Sequence, residues 1–311
     1  MKRLLFASVL AASTLWLHAP VRGAVPPPLP KPAASLTSGS IRADVYGTPG
    51  KPPLIFIPGL MCGPWEWARE IADLAPNYTI YALTLPGFDG QAPVQADPFQ
   101  TVSADFWTLL ETQKIEKPIV IGHSLGGTLG IMLAEQHADR LRALVAVDGM
   151  PIFPGMQLMA ADQRTAAAQR MSSLLASIDT PAQFEMAEKT YSLPYLITSK
   201  SDIDAIAPLV ARSDPKATAQ WVQSDMLLDL RPQLPRVTIA MLEIAPFDPQ
   251  FDPAGPAKLG SAAAKQAYYA SLLPGAAHAK VEVVEPSRHF IMYDRPQQLH
   301  DLLTAFLASV R

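Results

Sequence analysis

The chain has 311 residues, 49% of them hydrophobic and 17% charged, with a formal net charge of −3 and a mean hydropathy of +0.13. That much apolar material excludes a disordered or collagen-like chain, and the absence of a basic stripe argues against nucleic acid as a partner. A single cysteine, Cys62, excludes a disulfide framework or a thiolate metal cluster within one chain.

In chain order, Met1-Lys2-Arg3 is a short basic start, and Leu4 to Leu17 is an apolar run too short for a comfortable membrane span. The small residues around Gly23-Ala24 complete the pattern of a secretory signal peptide over 1–23. The expectation is an exported protein, periplasmic or secreted, with no stable membrane insertion after cleavage. Residues 24–36 carry five prolines between Pro26 and Pro32 and read as an extended spacer.

From residue 37 the patterning changes. Ile41 to Tyr46 alternates apolar and polar residues, as an outer strand does. Leu54 to Ile57, Tyr78 to Leu85, Pro118 to Ile121 and Leu144 to Val147 are short apolar runs that suit buried strands. Between them, Val102, Phe106, Leu109 and Leu110 are spaced as one face of a helix, and Leu125, Leu129, Met132 and Leu133 mark another. Strands alternating with helices predict a parallel sheet covered on both faces. The alternation stops at Asp148 and resumes with strands over Val237–Ile244 and Lys280–Val284, a helix over Gly260–Leu273 and a final helix bearing Leu299, Leu303 and Leu307. The reading is one α/β core over 37–150 and 236–311, with a helical cap or lid over 151–235. Six methionines (150, 156, 159, 171, 186 and 226) fall in or beside that insertion. Flexible thioethers suit an adaptable apolar surface, and they serve equally as core filler.

Gly122-His123-Ser124-Leu125-Gly126 has the G-x-S-x-G spacing, with a buried strand before it and a helix after it. A sharp strand-to-helix turn presents the serine above the sheet, and the glycines let the backbones approach. A serine hydroxyl needs a base to take its proton. Of six histidines, only His289 follows a strand at the carboxyl edge of the sheet, where Ser124 also emerges. The acid that orients the histidine falls, in chain order, between serine and histidine beyond a strand end. Asp248 after Val237–Ile244 is the first candidate, with Asp252 and Asp148 as alternatives. Backbone donors for an oxyanion come from the amide of Leu125 and, in the loop Pro58-Gly59-Leu60, that of Leu60, with Met61 in reserve. Trp65 and Trp67 follow as pocket-lining or core residues, and Cys62 reads as a bystander.

Ile57-Pro58-Gly59-Leu60, the Gly122–Gly127 stretch and Ser287-Arg288-His289-Phe290 together resemble the α/β-hydrolase superfamily from about residue 40 onward, the cap excepted. The resemblance implies an eight-stranded, mostly parallel sheet, a Ser-Asp-His triad and a helical lid after the sixth strand. Two departures stand out: Pro58-Gly59 replaces the usual His-Gly of the oxyanion loop, and Ala245-Pro246-Phe247-Asp248 replaces the usual Gly-x-x-Asp acid loop. The expected activity is hydrolysis of an ester or thioester of a small to medium apolar acyl group, with no cofactor and no metal. The alternatives are a proline-iminopeptidase-like aminopeptidase holding the substrate amine on Glu185 and Glu188, a C–C hydrolase, a cofactor-free haloperoxidase, and a non-catalytic binder.

Overall fold

In the computed structural model, residues 27–255 and 257–310 are described. The expected signal peptide over 1–23 lies outside them. No helix among the described residues is long and apolar enough to cross a membrane.

Eight strands form one sheet in the order β1-β2-β4-β3-β5-β6-β7-β8. They are β1 (Ala34–Ser38), β2 (Ile41–Gly47), β3 (Pro53–Ile57), β4 (Thr79–Thr84), β5 (Ile119–His123), β6 (Ala143–Val147), β7 (Ala240–Pro246) and β8 (Ala279–Val284). The β1–β2 and β2–β4 pairs are antiparallel, and every pair from β4 to β8 is parallel. Two differences from the sequence reading have simple causes. Residues expected to be spacer up to 36 include the start of β1, because the Ala33 amide and the β1 backbone pair with β2 despite the prolines just before them. The seventh strand begins at Ala240 and not Val237, since Arg231–Arg236 forms a 3₁₀ turn that Val237 closes.

The central strands are buried on both faces, which is why they read as continuous apolar runs. Leu54, Phe56, Ile80, Ile119, Ile121, Val145 and Val147 face one layer, made by α1 (Ala68–Leu74) and α11 (Pro296–Ser309) through Trp67, Ile71, Leu299, Leu303 and Leu307. Ile55, Ile57, Val120, Leu144 and Ala146 face the other, made by α2 (Pro98–Thr112) and α3 (Leu125–His137) through Phe99, Val102, Phe106, Leu129 and Leu133. Odd and even strand positions thus separate into the two layers, as a period of two requires. Cys62, Trp65 and Trp67 are all buried in the first layer.

Between β6 and β7 the chain forms α4 (Ala161–Ala176), α5 (Pro181–Ala187), α6 (Leu193–Leu196), α7 (Lys200–Val210) and α8 (Pro215–Leu227). An isolated bridge from Ile152 to Asp229 ties the two ends of this excursion together. Side-chain caps begin α7 and α8: Ser199 Oγ accepts from the Asp202 amide, and Asp214 accepts from the Lys216 and Ala217 amides. Ile152, Met156, Ala168, Val222, Met226 and Leu272 form a third cluster between these helices and the sheet, with Leu60, Met150 and Phe153 packed against it. α9 (Ala262–Ser271) and α10 (Ile291–Asp294) complete the chain.

Candidate active site

Ser124 lies between β5 and α3 with φ 51° and ψ −120°, a conformation that a non-glycine residue adopts only under constraint. The constraint is visible. Its amide donates to the Val147 carbonyl at 2.8 Å, and its carbonyl accepts from the amides of Gly127 and Thr128 at 2.8 and 3.0 Å. The turn also requires its glycines. A Cβ on Gly122 would sit 2.2 Å from the Gly126 carbonyl oxygen, and one on Gly126 would sit 2.4 Å from that of Ile57. Ser124 therefore stands at the N-terminus of α3, where backbone amides point outward and the helix dipole favours negative charge.

His289 follows β8 in the loop that leads to α10. Its Nδ1 lies 2.5 Å from Asp148 Oδ2. The other Asp148 oxygen accepts from the Tyr269 hydroxyl on α9. Burial by itself would push the Asp148 carboxyl up, but His289, Lys265 and the Tyr269 hydroxyl more than offset this, and the carboxyl titrates below its usual range. An ionised Asp148 accepts only, so the His289 Nδ1–H donates to it and the imidazole Nε2 is left for a proton transfer.

This corrects the first choice of acid. Asp248 does not meet His289: its Oδ2 accepts from Arg288 Nε at 2.7 Å and its Oδ1 from the Gln250 amide at 2.9 Å. Asp252 is taken by Lys265, 2.7 Å away, and by the Asp248 amide at 2.7 Å. The reason is the neighbour of the histidine. The Arg288 guanidinium, which also donates to the Pro194 carbonyl at 2.5 Å, points toward the β7 loop and captures its carboxylate. His289 reaches past the end of β7 to the end of β6. There Asp148 has φ 50°, and its amide donates to the Ile244 carbonyl at 2.9 Å. Tyr269 escapes the sequence reading, and the α9 pattern alone gives no signal for it. We expect Tyr269→Phe, which removes a hydrogen bond to a charged group, to lower turnover by about tenfold or more in steady-state assays with the fold unchanged.

Behind Ser124, His123 is fully buried. Its Nδ1 is 2.7 Å from Glu66 Oε1, and its Nε2 is 3.1 Å from the His289 carbonyl oxygen. The second Glu66 oxygen accepts the Gly59 amide at 2.9 Å. Glu66 thereby holds the loop carrying Leu60, while His123 ties the serine turn to the histidine loop. Burial would depress the His123 imidazole, but the Glu66 carboxylate together with Asp148 and the His289 carbonyl outweighs it, and the net shift is upward.

Leu60 and Leu125 flank Ser124 on the wall of a cavity of about 630 Å³, and among the described residues neither amide has an acceptor. Ser124, Asp148 and His289 open on the same cavity, whose other walls include Met150, Ile152, Phe153, Leu193, Leu196, Phe251, Leu259 and Tyr268. Trp65 and Trp67 are not among its walls, and neither are Glu185 and Glu188. Glu185 borders a separate groove with Met186 and Lys189.

Residues 54–302 match the Alpha/beta hydrolase family. The chain belongs to that family. Among solved structures, it is similar to a carboxylesterase structure from the ammonia-oxidizing thaumarchaeon Nitrososphaera gargenis (20% identity, TM-score 0.70, covering 89% of this chain and 98% of that one). It is also similar to the enol-lactonase from Burkholderia xenovorans LB400 (18% identity, TM-score 0.67, covering 88% and 100%). At such identities the likeness is one of fold. A curated relative, the 2-succinyl-6-hydroxy-2,4-cyclohexadiene-1-carboxylate synthase of Klebsiella pneumoniae, is 33% identical over 111 residues, which is 36% of this chain and 42% of the relative. The chain thus matches less than half the length of this relative.

Proposed function

We propose that this member of the alpha/beta hydrolase family is a serine hydrolase that cleaves esters or thioesters of a small to medium, largely apolar acyl group. The observation that carries the reading is the convergence of a strained serine turn, a histidine held by a buried ionised aspartate, and two free backbone amides on one apolar cavity.

In this reading Ser124 Oγ attacks the acyl carbon as its proton passes to His289 Nε2. The developing oxyanion sits between the Leu60 and Leu125 amides, at the positive end of α3. Collapse of the tetrahedral species breaks the bond to the leaving group, which takes the proton from His289 Nε2–H. Water then attacks the acyl-serine, giving its proton to His289, and release of the acid returns that proton to Ser124. Asp148 keeps the imidazole in the tautomer that makes each transfer possible and stabilises the imidazolium between them.

The charges in the cavity favour an apolar acyl group over a polyanionic substrate of the kind that the synthase relatives' name describes. Recognition of several carboxylates calls for cations with donors to spare. The cavity's two candidates, Lys265 and Arg288, are already engaged by Asp252 and Asp248. The amine-holding role of Glu185 and Glu188 has no support, since neither lines the cavity.

A fluorophosphonate probe, followed by peptide mass spectrometry, tests the reading. Stoichiometric phosphonylation at Ser124, slowed by a competing nitrophenyl butyrate, is the expected result. An unlabelled Ser124 in folded protein, or a label elsewhere, would overturn it.

A further inference from the structure

Three carboxylates line the cavity: Asp148, Asp252 and Asp225. Asp148 serves His289 and Tyr269, and Asp252 serves Lys265 and the Asp248 amide. Asp225 has no hydrogen bond or ion pair through its side chain among the described residues, and the cavity's cations are taken elsewhere. Lys265 and Arg288 are committed as above, while Arg164 and Arg231 both turn to Asp229, at 3.6 and 2.7 Å.

Its position makes the carboxylate costly. Asp225 lies in the last turn of α8, at the negative end of the helix dipole, where an anion is disfavoured. Its helix neighbours Val222 and Met226 are buried in the apolar cap cluster. The side chain is half-buried on the cavity wall, and desolvation there pushes its carboxyl up to about 7. A side chain that opposes its helix, its surroundings and its own ionisation, with no internal partner, has the character of a group that awaits an external one.

We propose that Asp225 is a subsite for a protonated amine carried on the apolar body of the substrate. The proposal rests on the reading of this cavity as the substrate cavity. An ammonium group supplies both donors and the opposite charge, so the carboxylate becomes fully paired only when the ligand is in place. A hydroxyl would supply a donor and leave the charge uncompensated. The aliphatic or aromatic remainder of such a ligand meets Met150, Ile152 and Phe153. Substrate choice would then combine apolar fit with one fixed charge, the arrangement by which a mostly apolar pocket orients its ligand.

Titration calorimetry with hexylammonium and with 1-hexanol, on the wild-type chain and on Asp225→Asn, tests this. The expected result is that hexylammonium binds the wild type at least tenfold tighter than hexanol does. In Asp225→Asn the ammonium affinity should fall at least tenfold while hexanol is unchanged. The melting temperature of Asp225→Asn should also equal or exceed that of the wild type, because the substitution removes an uncompensated anion. A lower melting temperature would reveal a structural partner and overturn the proposal. So would equal affinities for the two ligands, or an ammonium preference that survives in Asp225→Asn. Hexylammonium should also slow fluorophosphonate labelling of Ser124 in the wild type. Tight, Asp225-dependent binding without that protection would place the amine outside the substrate path and defeat the subsite. A Ser124 that never labels would sink the hydrolase reading, while the calorimetry would still decide whether Asp225 binds amines.

Discussion

Asp148→Asn is expected to lower kcat by about 10⁴-fold, whereas Asp248→Asn should cost less than about tenfold. The larger loss follows from two hydrogen bonds. Tyr269 donates its hydroxyl proton to Asp148 Oδ1, and His289 Nδ1 faces Oδ2. In the asparagine variant the amide oxygen turns toward Tyr269, the only way to accept that proton, and the amide nitrogen then confronts His289 Nδ1. An N–H donor there makes Nδ1 the acceptor and leaves the ring proton on Nε2. With Nε2 already protonated, the imidazole cannot take the proton of Ser124. The fold should survive, since an amide in place of the carboxylate keeps the shape and both contacts. At position 248, asparagine still offers an oxygen to Arg288 Nε, so the histidine loop keeps most of its support. Steady-state kinetics on a nitrophenyl ester with far-UV circular dichroism of both variants decides the matter. A severe loss in Asp248→Asn with a mild one in Asp148→Asn would return the acid to the β7 loop.

The contrast between these two aspartates also shows where sequence reasoning stops. The strands are legible because each central strand is buried on both faces and so reads as a short continuous apolar run. The serine turn is legible because Gly122 and Gly126 stand where any Cβ would strike a backbone carbonyl. His289 is legible by elimination among six histidines. These signals are local. The choice of acid is not, because Asp148 and Asp248 both follow strands that reach the same edge, and both lie between Ser124 and His289 in the chain. What separates them is the reach of two adjacent side chains: Arg288 meets Asp248 at the end of β7, and His289 meets Asp148 beyond it, at the end of β6. β1 escapes the pattern for a similar reason. It exists through its pairing with β2 across a tight turn, with Ser38 opposite Ile41, and not through its own sequence, in which exposed residues predominate. The Asp225 carboxylate reads like any helix-surface acid until the fold turns that face of α8 inward.

The second large effect is on stability. Glu66→Leu is expected to destabilise the fold by about 3–5 kcal/mol, whereas Glu66→Gln should cost far less. Glu66 accepts from the Gly59 amide and from His123 Nδ1, and His123 Nε2 faces the His289 carbonyl. A carbonyl only accepts, so Nε2 carries a proton. With Nδ1 also donating to the carboxylate, the pair is a buried imidazolium–carboxylate, the form that the upward shift of His123 favours. Leucine removes the acceptor from two buried donors at once, and the melting temperature should drop on the order of 10 °C. Glutamine offers its oxygen to the Gly59 amide and its N–H to Nδ1. A neutral His123 then accepts at Nδ1 while Nε2–H keeps its bond to the His289 carbonyl, so every group remains paired. The two variants also differ with pH. Because the His123 pKa is raised in the folded chain, the stability its charge contributes is complete below the unfolded value of about 6.5 and is lost as pH climbs through the folded value. The advantage of wild type over Glu66→Gln should therefore be larger at pH 6 than at pH 9, measured as a difference in denaturant midpoint. An advantage that is constant or grows with pH would mean that His123 is neutral and that the pair holds the oxyanion loop, the serine turn and the histidine loop together without its charge.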